Sequence, residues 1–506
     1  MVEQETANRQ ELYDRMVDIL GPRYVSNDPS TLISYAAQTT EGSSMLGGKE
    51  RLADVVVLPS TTSEVQNIVF FAQRNSIPIA IYSSAIFAFW STSKTGGIII
   101  DMKRMNRILK VDADNCLVTS QGGLPLQVQT AEMLKKRMFL SQAGAPSSCY
   151  VSSQYTAGNT NKATGRIGWQ YRSLVGWEMV LPDGTVLRNG SRANAYETEA
   201  FWAHGPGPDL WLLPRYAAST HGVVTEITIK GHTLDEEIKS LWVSFKDIED
   251  MQKAYIEFCH AEICTGTSLY TNFKTAGYTF DTNEVGYRMT RMYPEMHMIL
   301  TMQGSPRRVK WEEKRVREIA QKYNGRVITD KFPPFQVAYD SQLSMAASIY
   351  SEYTNRYFIT CGSMGLGLLL SMGAIDDIET AYKFVKRVNM EDEWQGDPNR
   401  GFYSDTCGPG LITYPGEGGH YTMIELMGTG SSQPAMSKAQ ERAAIRVMKF
   451  RKEARLPSDA HGGPTVAGRK DYGLWPTYVE LATRFQQILD PNGIMHPGNL
   501  YPPVFR

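Results

Sequence analysis

The six cysteines (Cys116, Cys149, Cys259, Cys264, Cys361 and Cys407) show no paired CxxC spacing, which excludes the common zinc sites and a disulfide framework and leaves reduced, mostly buried thiols as the expectation. No apolar run approaches the roughly 18 residues that a membrane-spanning helix needs. Charge of one sign is missing too: 52 Lys and Arg stand against 53 Asp and Glu, a net charge of -1, with no basic stripe, so nucleic acid is not an expected partner. The start, Met1-Val2-Glu3-Gln4-Glu5, lacks the basic and then apolar pattern of an export signal, and cytoplasm is the expected compartment. Neither an internal repeat nor a low-complexity stretch is found. What the chain does have is 506 residues, 42% of them hydrophobic, enough for two or three domains with cores of their own. Its 23 methionines and 10% aromatics suit such cores and also large apolar cavities.

Periodicity gives the order of elements. A short surface helix over residues 11–20 stops at Gly21-Pro22. Residues 53–59 form a buried strand, Thr62-Ser63-Glu64 opens a helix over 65–75 in capping-box style, and a strand follows at 77–82. After an unusual loop come strands at 96–101, 108–111 and 117–120, then a helix over 126–136. Residues 177–188 form a hairpin in which Asp183-Gly184 supplies the positive backbone angles of a two-residue turn. An alternating strand at 222–230 closes this part, and the boundary falls near Leu234. Beyond it, helices (247–258, 307–323, 375–389, 437–453) mix with strands (357–361, 421–426) as an α+β layer, and a last helix spans 478–489.

Three passages carry a further signal. Pro59 to Asn106 runs strand, helix, strand, loop, strand and a Met105-Asn106-Arg107-Ile108 turn. Ala157-Gly158-Asn159-Thr160, with Gly165 and Gly168, is a small-residue loop where main chain could approach phosphate closely, and the hairpin and Gly222-Val223-Val224-Thr225 follow it. The tail reads Asp490-Pro491-Asn492-Gly493-Ile494-Met495-His496-Pro497-Gly498. In this order the passages resemble the vanillyl-alcohol-oxidase and p-cresol-methylhydroxylase type of FAD-binding flavoproteins, over roughly the first 230 and last 40 residues. The resemblance implies an α+β fold: a two-subdomain FAD-binding domain (1–234), an α+β cap or substrate domain (235–465), and a C-terminal return to the FAD domain (466–506). It also implies FAD, expected to be noncovalent. Contacts to that cofactor fall at Tyr82, Ser83, Ser84 and Ala85, at Gly158, Asn159, Thr160 and Gly165, at Pro146 and Ser147 near the isoalloxazine, and at the main chain of Val223 and Val224.

The loop after the strand at 77–82 departs from the family. Ile86, Phe87, Phe89 and Trp90 stand where the family has glycines, and bulky residues resist the positive backbone angles of a phosphate cradle. Two readings follow: a rerouted loop around retained FAD, or a flavin-free structural or regulatory subunit of a hetero-oligomeric flavoenzyme. The leading reading is an FAD-dependent oxidoreductase that moves hydride from a small aromatic or hydroxylated substrate to flavin, as a homo-oligomer or beside a related flavoprotein subunit. A phenolic substrate needs groups that stabilise phenolate, and the resemblance directs attention to Tyr171, Arg172 and Tyr472 as catalytic candidates. No metal site is expected. His420 and His461, conceivable points of covalent flavin attachment, read as hydrogen-bonded structural histidines, while His204 and His221 fall in segments near the expected cofactor. An alkyl-transferase activity finds no matching lipid-handling segment.

Overall fold

The computed structural model describes residues 2–36, 52–82, 96–140, 149–157, 163–193, 213–214, 221–272, 293–329, 369–390, 410–427, 453 and 476–497. Helix α1 (Val2–Leu20) is longer than its apolar spacing predicts, because the residues before Glu11 include neither Gly nor Pro and continue the helix. It buries Leu12, Met16 and Leu20 and stops at Gly21, whose φ of 83° an L side chain would resist. Next come β1 (Val25–Ser26), α2 (Pro29–Ala36), β2 (Val55–Val57), α3 (Thr62–Arg74), β3 (Ile79–Tyr82) and β4 (Ile98–Asp101). They form a sheet in the order β1-β2-β4-β3, with β2, β4 and β3 parallel. The parallel strands read as unbroken Val and Ile because both faces are covered. Met16, Val65 and Ile68 pack on one face, Leu32 and Tyr35 on the other. The cap of α3 sits one residue earlier than the sequence suggests: Thr61 accepts from the Glu64 amide at 3.1 Å, and the Glu64 carboxylate accepts from the Ser60 amide at 2.6 Å.

A second sheet uses β5 (Ile108–Asp112), β6 (Leu117–Gln121), β8 (Leu174–Val180), β9 (Val186–Arg188) and β10 (Val223–Lys230), in the antiparallel order β5-β6-β10-β8-β9. Between β6 and β8 lie α4 (Leu126–Lys135), β7 (Met138–Phe139), α5 (Val151–Ala157) and α6 (Thr164–Ile167). Leu126, Met133, Tyr155, Trp177 and Ile227 form the core beneath this sheet. The β8–β9 turn corrects the sequence reading. Only Gly184 has positive φ, at 83°, and Leu181 pairs with Thr185 through a 2.8 Å backbone bond, so the loop has three residues, Pro182-Asp183-Gly184. Proline fixes a negative φ at the first loop position, which rules out the primed two-residue turn. β11 (His232–Thr233) pairs with β7 and leads out of this sheet.

From Glu237 the chain builds a seven-stranded antiparallel sheet, β15-β12-β14-β13-β17-β18-β16. Its parts are β12 (Glu237–Phe245), α7 (Ile248–His260), β13 (Gly266–Thr271), β14 (Met296–Gly304), α8 (Pro306–Lys322), β15 (Arg326–Val327), β16 (Leu369–Ala374), α9 (Ile378–Met390), β17 (Gly410–Pro415) and β18 (Tyr421–Met427). Met251, Phe258, Val316 and Ile378 from the helices bury one face, against Val243, Leu269 and Met298. β14 is buried along its whole length, so the opposite face is covered as well. The expected strand at 357–361 lies outside the described residues, as does the expected helix at 437–453 apart from Glu453.

After α10 (Pro476–Leu489) the tail returns to the first sheet. Asp490 accepts from the Ile494 and Met495 amides at 3.0 and 2.7 Å, turning the chain so that Met495 bridges Ile79 in parallel beside β3. Mixed helices and sheets of this kind make the fold α+β.

Candidate cofactor cleft and cap junction

In open sheets with parallel strands, ligands sit beyond the carboxyl ends of those strands. There the first sheet meets the second in a cleft. Ile81 and Met102 contribute from the first sheet, Ser152, Ser153 and Thr156 from α5, and Met179, His221, Gly222 and Val224 from the ends of β8 and β10. Glycine permits the close approach of these walls. A Cβ on Gly122 would lie 2.4 Å from the Val224 carbonyl oxygen, and one on Gly123 would lie 1.9 Å from that of Met102. β10 carries a bulge between Val224 and Glu226, which releases Thr225 from the pairing and turns its main chain to accept from the Gly122 amide at 2.8 Å.

A buried acid holds the two sheets together beside this cleft. Glu178 on β8 accepts from Thr62 of α3 at 2.7 Å, from Thr225 at 2.9 Å and from Arg188 at 2.7 Å. Burial pushes its carboxyl up, but the three donors outweigh burial and leave it below the ordinary glutamate value. His221 bonds the Leu213 carbonyl at 2.9 Å and meets Phe485 of α10 edge-on, and burial lowers its pKa.

A separate junction joins α6 and the segment after it to the seven-stranded sheet. Glu417 accepts from the Trp169 amide at 2.9 Å and from Arg172 Nε at 3.2 Å, while the Trp169 indole donates to the Tyr421 hydroxyl. A Cβ on Gly165 would meet Pro415 at 3.0 Å. On that sheet itself, His297 stacks between Trp242 and Tyr270, with centroids 4.9 and 6.0 Å away and ring planes within 18°. Burial pushes His297 down to about 4, so it is a neutral ring at physiological pH.

Residues 53–190 match the family described as FAD binding domain. The fold is shared with the solved 4-ethylphenol oxidase from Gulosibacter chungangensis, in its isoeugenol complex, at a TM-score of 0.79 and 19% identity over 98% of both chains. It is shared equally with substrate-bound p-cresol methylhydroxylase, at a TM-score of 0.77 and 17% identity over 97% of both chains. The chain carries an FAD binding domain over these residues and has the fold of these two solved proteins. Among curated relatives, it is 24% identical over 260 residues to the glycolate oxidase subunit GlcD of Bacillus subtilis (strain 168), which is 50% of this chain and 52% of that protein. It thus spans about half the length of this relative.

FAD is the cofactor of the domain family that residues 53–190 match, and the cleft offers groups suited to it: glycines at close backbone approaches, three hydroxyl side chains on α5 and the main chain of Gly222 to Val224. Of the expected cofactor residues, Val224 lines the cleft, Val223 adjoins it, and Tyr82 follows the lining residue Ile81. Gly165 does not line it and instead packs against Pro415 at the junction with the seven-stranded sheet. Tyr171 and Arg172 also lie outside the lining. Tyr171 is buried, and Arg172 pairs with Glu417 and reaches over the Tyr171 ring at 5.4 Å. Ser83, Ser84, Ala85, Pro146, Ser147, Gly158, Asn159, Thr160 and Tyr472 lie outside the described residues, as do His204, His461 and Phe87 to Trp90. His420 is exposed and edge-on to Tyr421 at the junction. The α5 hydroxyls escaped the sequence reading, although their run ahead of Gly158 was a usable signal. His297 left none, because a lone histidine in an apolar strand has no pattern. Among the described residues no group of His, Cys, Asp and Glu could hold a metal ion, and no helix is long and apolar enough to cross a membrane.

Proposed function

We propose that this protein is an FAD-dependent oxidoreductase that takes hydride from a small aromatic or hydroxylated substrate, with FAD held noncovalently. The observation that carries this reading is the cleft itself, which joins the FAD-binding segment to the Gly222 to Val224 main chain where the two sheets meet. Bound flavin supplies the hydride acceptor. The chain's own residues hold the cofactor and shape the substrate space. We assign residues 1–234 and 466–506 to the cofactor and 235–465 to the substrate side, since the sheet changes between Thr233 and Glu237 and the tail returns to β3.

Phenols are acted on by the solved neighbours named above, whereas the B. subtilis relative is named for a 2-hydroxy acid. In our reading Tyr171 and Arg172 serve the cap junction, where Arg172 orients Glu417 and through it Trp169. The word "subunit" in that relative's name favours assembly with a second chain.

The test is an absorption spectrum of the purified protein before and after added FAD, followed by anaerobic mixing with 4-ethylphenol or glycolate. Flavin bands that bleach with one of the two support the reading. A colourless protein that refuses FAD overturns it in favour of a flavin-free subunit, the outcome that Ile86, Phe87, Phe89 and Trp90 would favour.

A further inference from the structure

Charge is missing from the lining of the cleft. Ile81, Met102, Met179 and Val224 make it apolar on one side, and among the described residues that line it there is no Lys or Arg. His221 adds no charge either: its Nδ1 bonds the Leu213 carbonyl, and burial lowers its pKa, which leaves a neutral ring. A diphosphate placed here would be an anion out of water without a counter-charge, which is strongly disfavoured.

Helix α5 does not supply the missing donors. Main-chain amides at a helix start commonly bind phosphate, but those of Val151 and Ser152 already donate to the carbonyls of Leu124 and Gly122, at 2.9 and 3.1 Å. Gly122 is fixed in turn, since its own amide donates to the Thr225 carbonyl at 2.8 Å. The hydroxyls of α5 that line the cleft are committed as well. Ser153 donates to the Tyr150 carbonyl at 2.9 Å and Thr156 to the Ser152 carbonyl at 2.6 Å. A hydroxyl has a single hydrogen, so what these two offer a ligand is oxygen lone pairs. Phosphate oxygens are acceptors too, and could use this wall only by breaking both bonds. The hydroxyls of a sugar or sugar alcohol donate to the same oxygens and break neither.

We propose that the cleft between the two sheets holds sugar hydroxyls of the cofactor, from the ribityl chain of the flavin or the ribose of the adenosine, which donate to Ser153 Oγ and Thr156 Oγ1, and that the diphosphate lies beyond it. The proposal rests on the FAD-binding reading above and adds which part of the dinucleotide this wall recognises.

The experiment measures the affinity of the full chain for FAD, riboflavin, lumiflavin, ADP and adenosine, by flavin fluorescence quenching and by calorimetry, in the wild type, Ser153→Ala, Thr156→Val and Thr156→Ser. Loss of one neutral hydrogen bond should weaken FAD about threefold to tenfold in Ser153→Ala and in Thr156→Val, with affinity restored in Thr156→Ser. The same loss for riboflavin, with lumiflavin, which lacks the hydroxyl chain, unaffected, identifies the ribityl group. The same loss for adenosine identifies the ribose. Circular dichroism and melting confirm that each variant is folded, and Ser153→Ala carries the test if Thr156→Val is not. A loss seen with FAD and ADP but with neither riboflavin nor adenosine assigns the hydroxyls to phosphate and overturns the proposal, as does a loss equally large for lumiflavin. Folded variants that bind FAD within about twofold of the wild type overturn it too. A wild type that binds neither FAD nor ADP overturns the FAD reading with it.

Discussion

Glu178→Ala tests how the two sheets of the FAD-binding part are joined. The carboxylate, 2% exposed, is the common acceptor for Thr62, Thr225 and Arg188, which come from a helix on one sheet and from two strands of the other. Removing it takes the acceptor from the Thr62 hydroxyl and leaves Thr225 only the longer 3.3 Å bond to the Glu178 main-chain carbonyl, at about 1–1.5 kcal/mol for each lost bond to a charged acceptor in a part-buried site. Arg188 is half exposed and regains water, so its share is about 0.5 kcal/mol. The expected loss is about 3 kcal/mol, or roughly 6–10 °C in Tm for a unit of this size. Glu178→Gln, which keeps one acceptor oxygen for the threonines, should lose about half of that. The acid side gives a second readout. The folded carboxyl lies below its unfolded value, so its contribution is complete above about pH 4.3 and disappears as pH falls through the folded value. The gap between wild type and Glu178→Ala should therefore close toward pH 3. Thermal melting followed by circular dichroism from pH 8 to pH 3 measures both effects. A Tm within about 1 °C of wild type at pH 7, or a gap that stays constant into acid, would refute the assignment.

Three further outcomes follow from the geometry. Gly222→Ala puts a Cβ 2.5 Å from the Val180 carbonyl oxygen at a φ of 150°, and should cost about 2–3 kcal/mol while lowering flavin content, read by urea unfolding and absorbance. His232 and His297 are both pushed down to about 4 by burial, below an unfolded value of about 6.5, so stability is full above that value and falls as pH drops from 6.5 toward 4. His297→Gln should flatten that decline by up to about 3 kcal/mol in a pH series of urea midpoints, and an unchanged slope would count against a buried neutral ring. Asp490→Ala leaves the Ile494 and Met495 amides without their acceptor, and should cost about 2–4 kcal/mol and expose the tail to limited proteolysis, with native-like resistance as the contrary result.

Much of this protein is written locally. The Val55 to Val57 and Ile98 to Ile100 runs specify strands covered on both faces, Thr61 with Glu64 specifies where α3 begins, and Asp490 with Gly493 specifies the turn of the tail. These signals involve residues a few positions apart, so propensity and hydrogen bonding act before the rest of the chain is in place. The order of the glycine loop, the hairpin and the Gly222 segment likewise pointed to the FAD-binding fold. Tertiary structure decided what those signals serve. The sequence marked Arg172 and Gly165 for the reaction and the phosphate, and folding set them against Glu417 and Pro415, some 245 residues further on. It also gathered Tyr35, Asp101, Lys103 and Tyr150 at one sheet edge, and stacked His297 between Trp242 and Tyr270. Side-chain chemistry that depends on partners from distant strands has no period along the chain, and only the sheet register and the packing of one layer on another bring it into being.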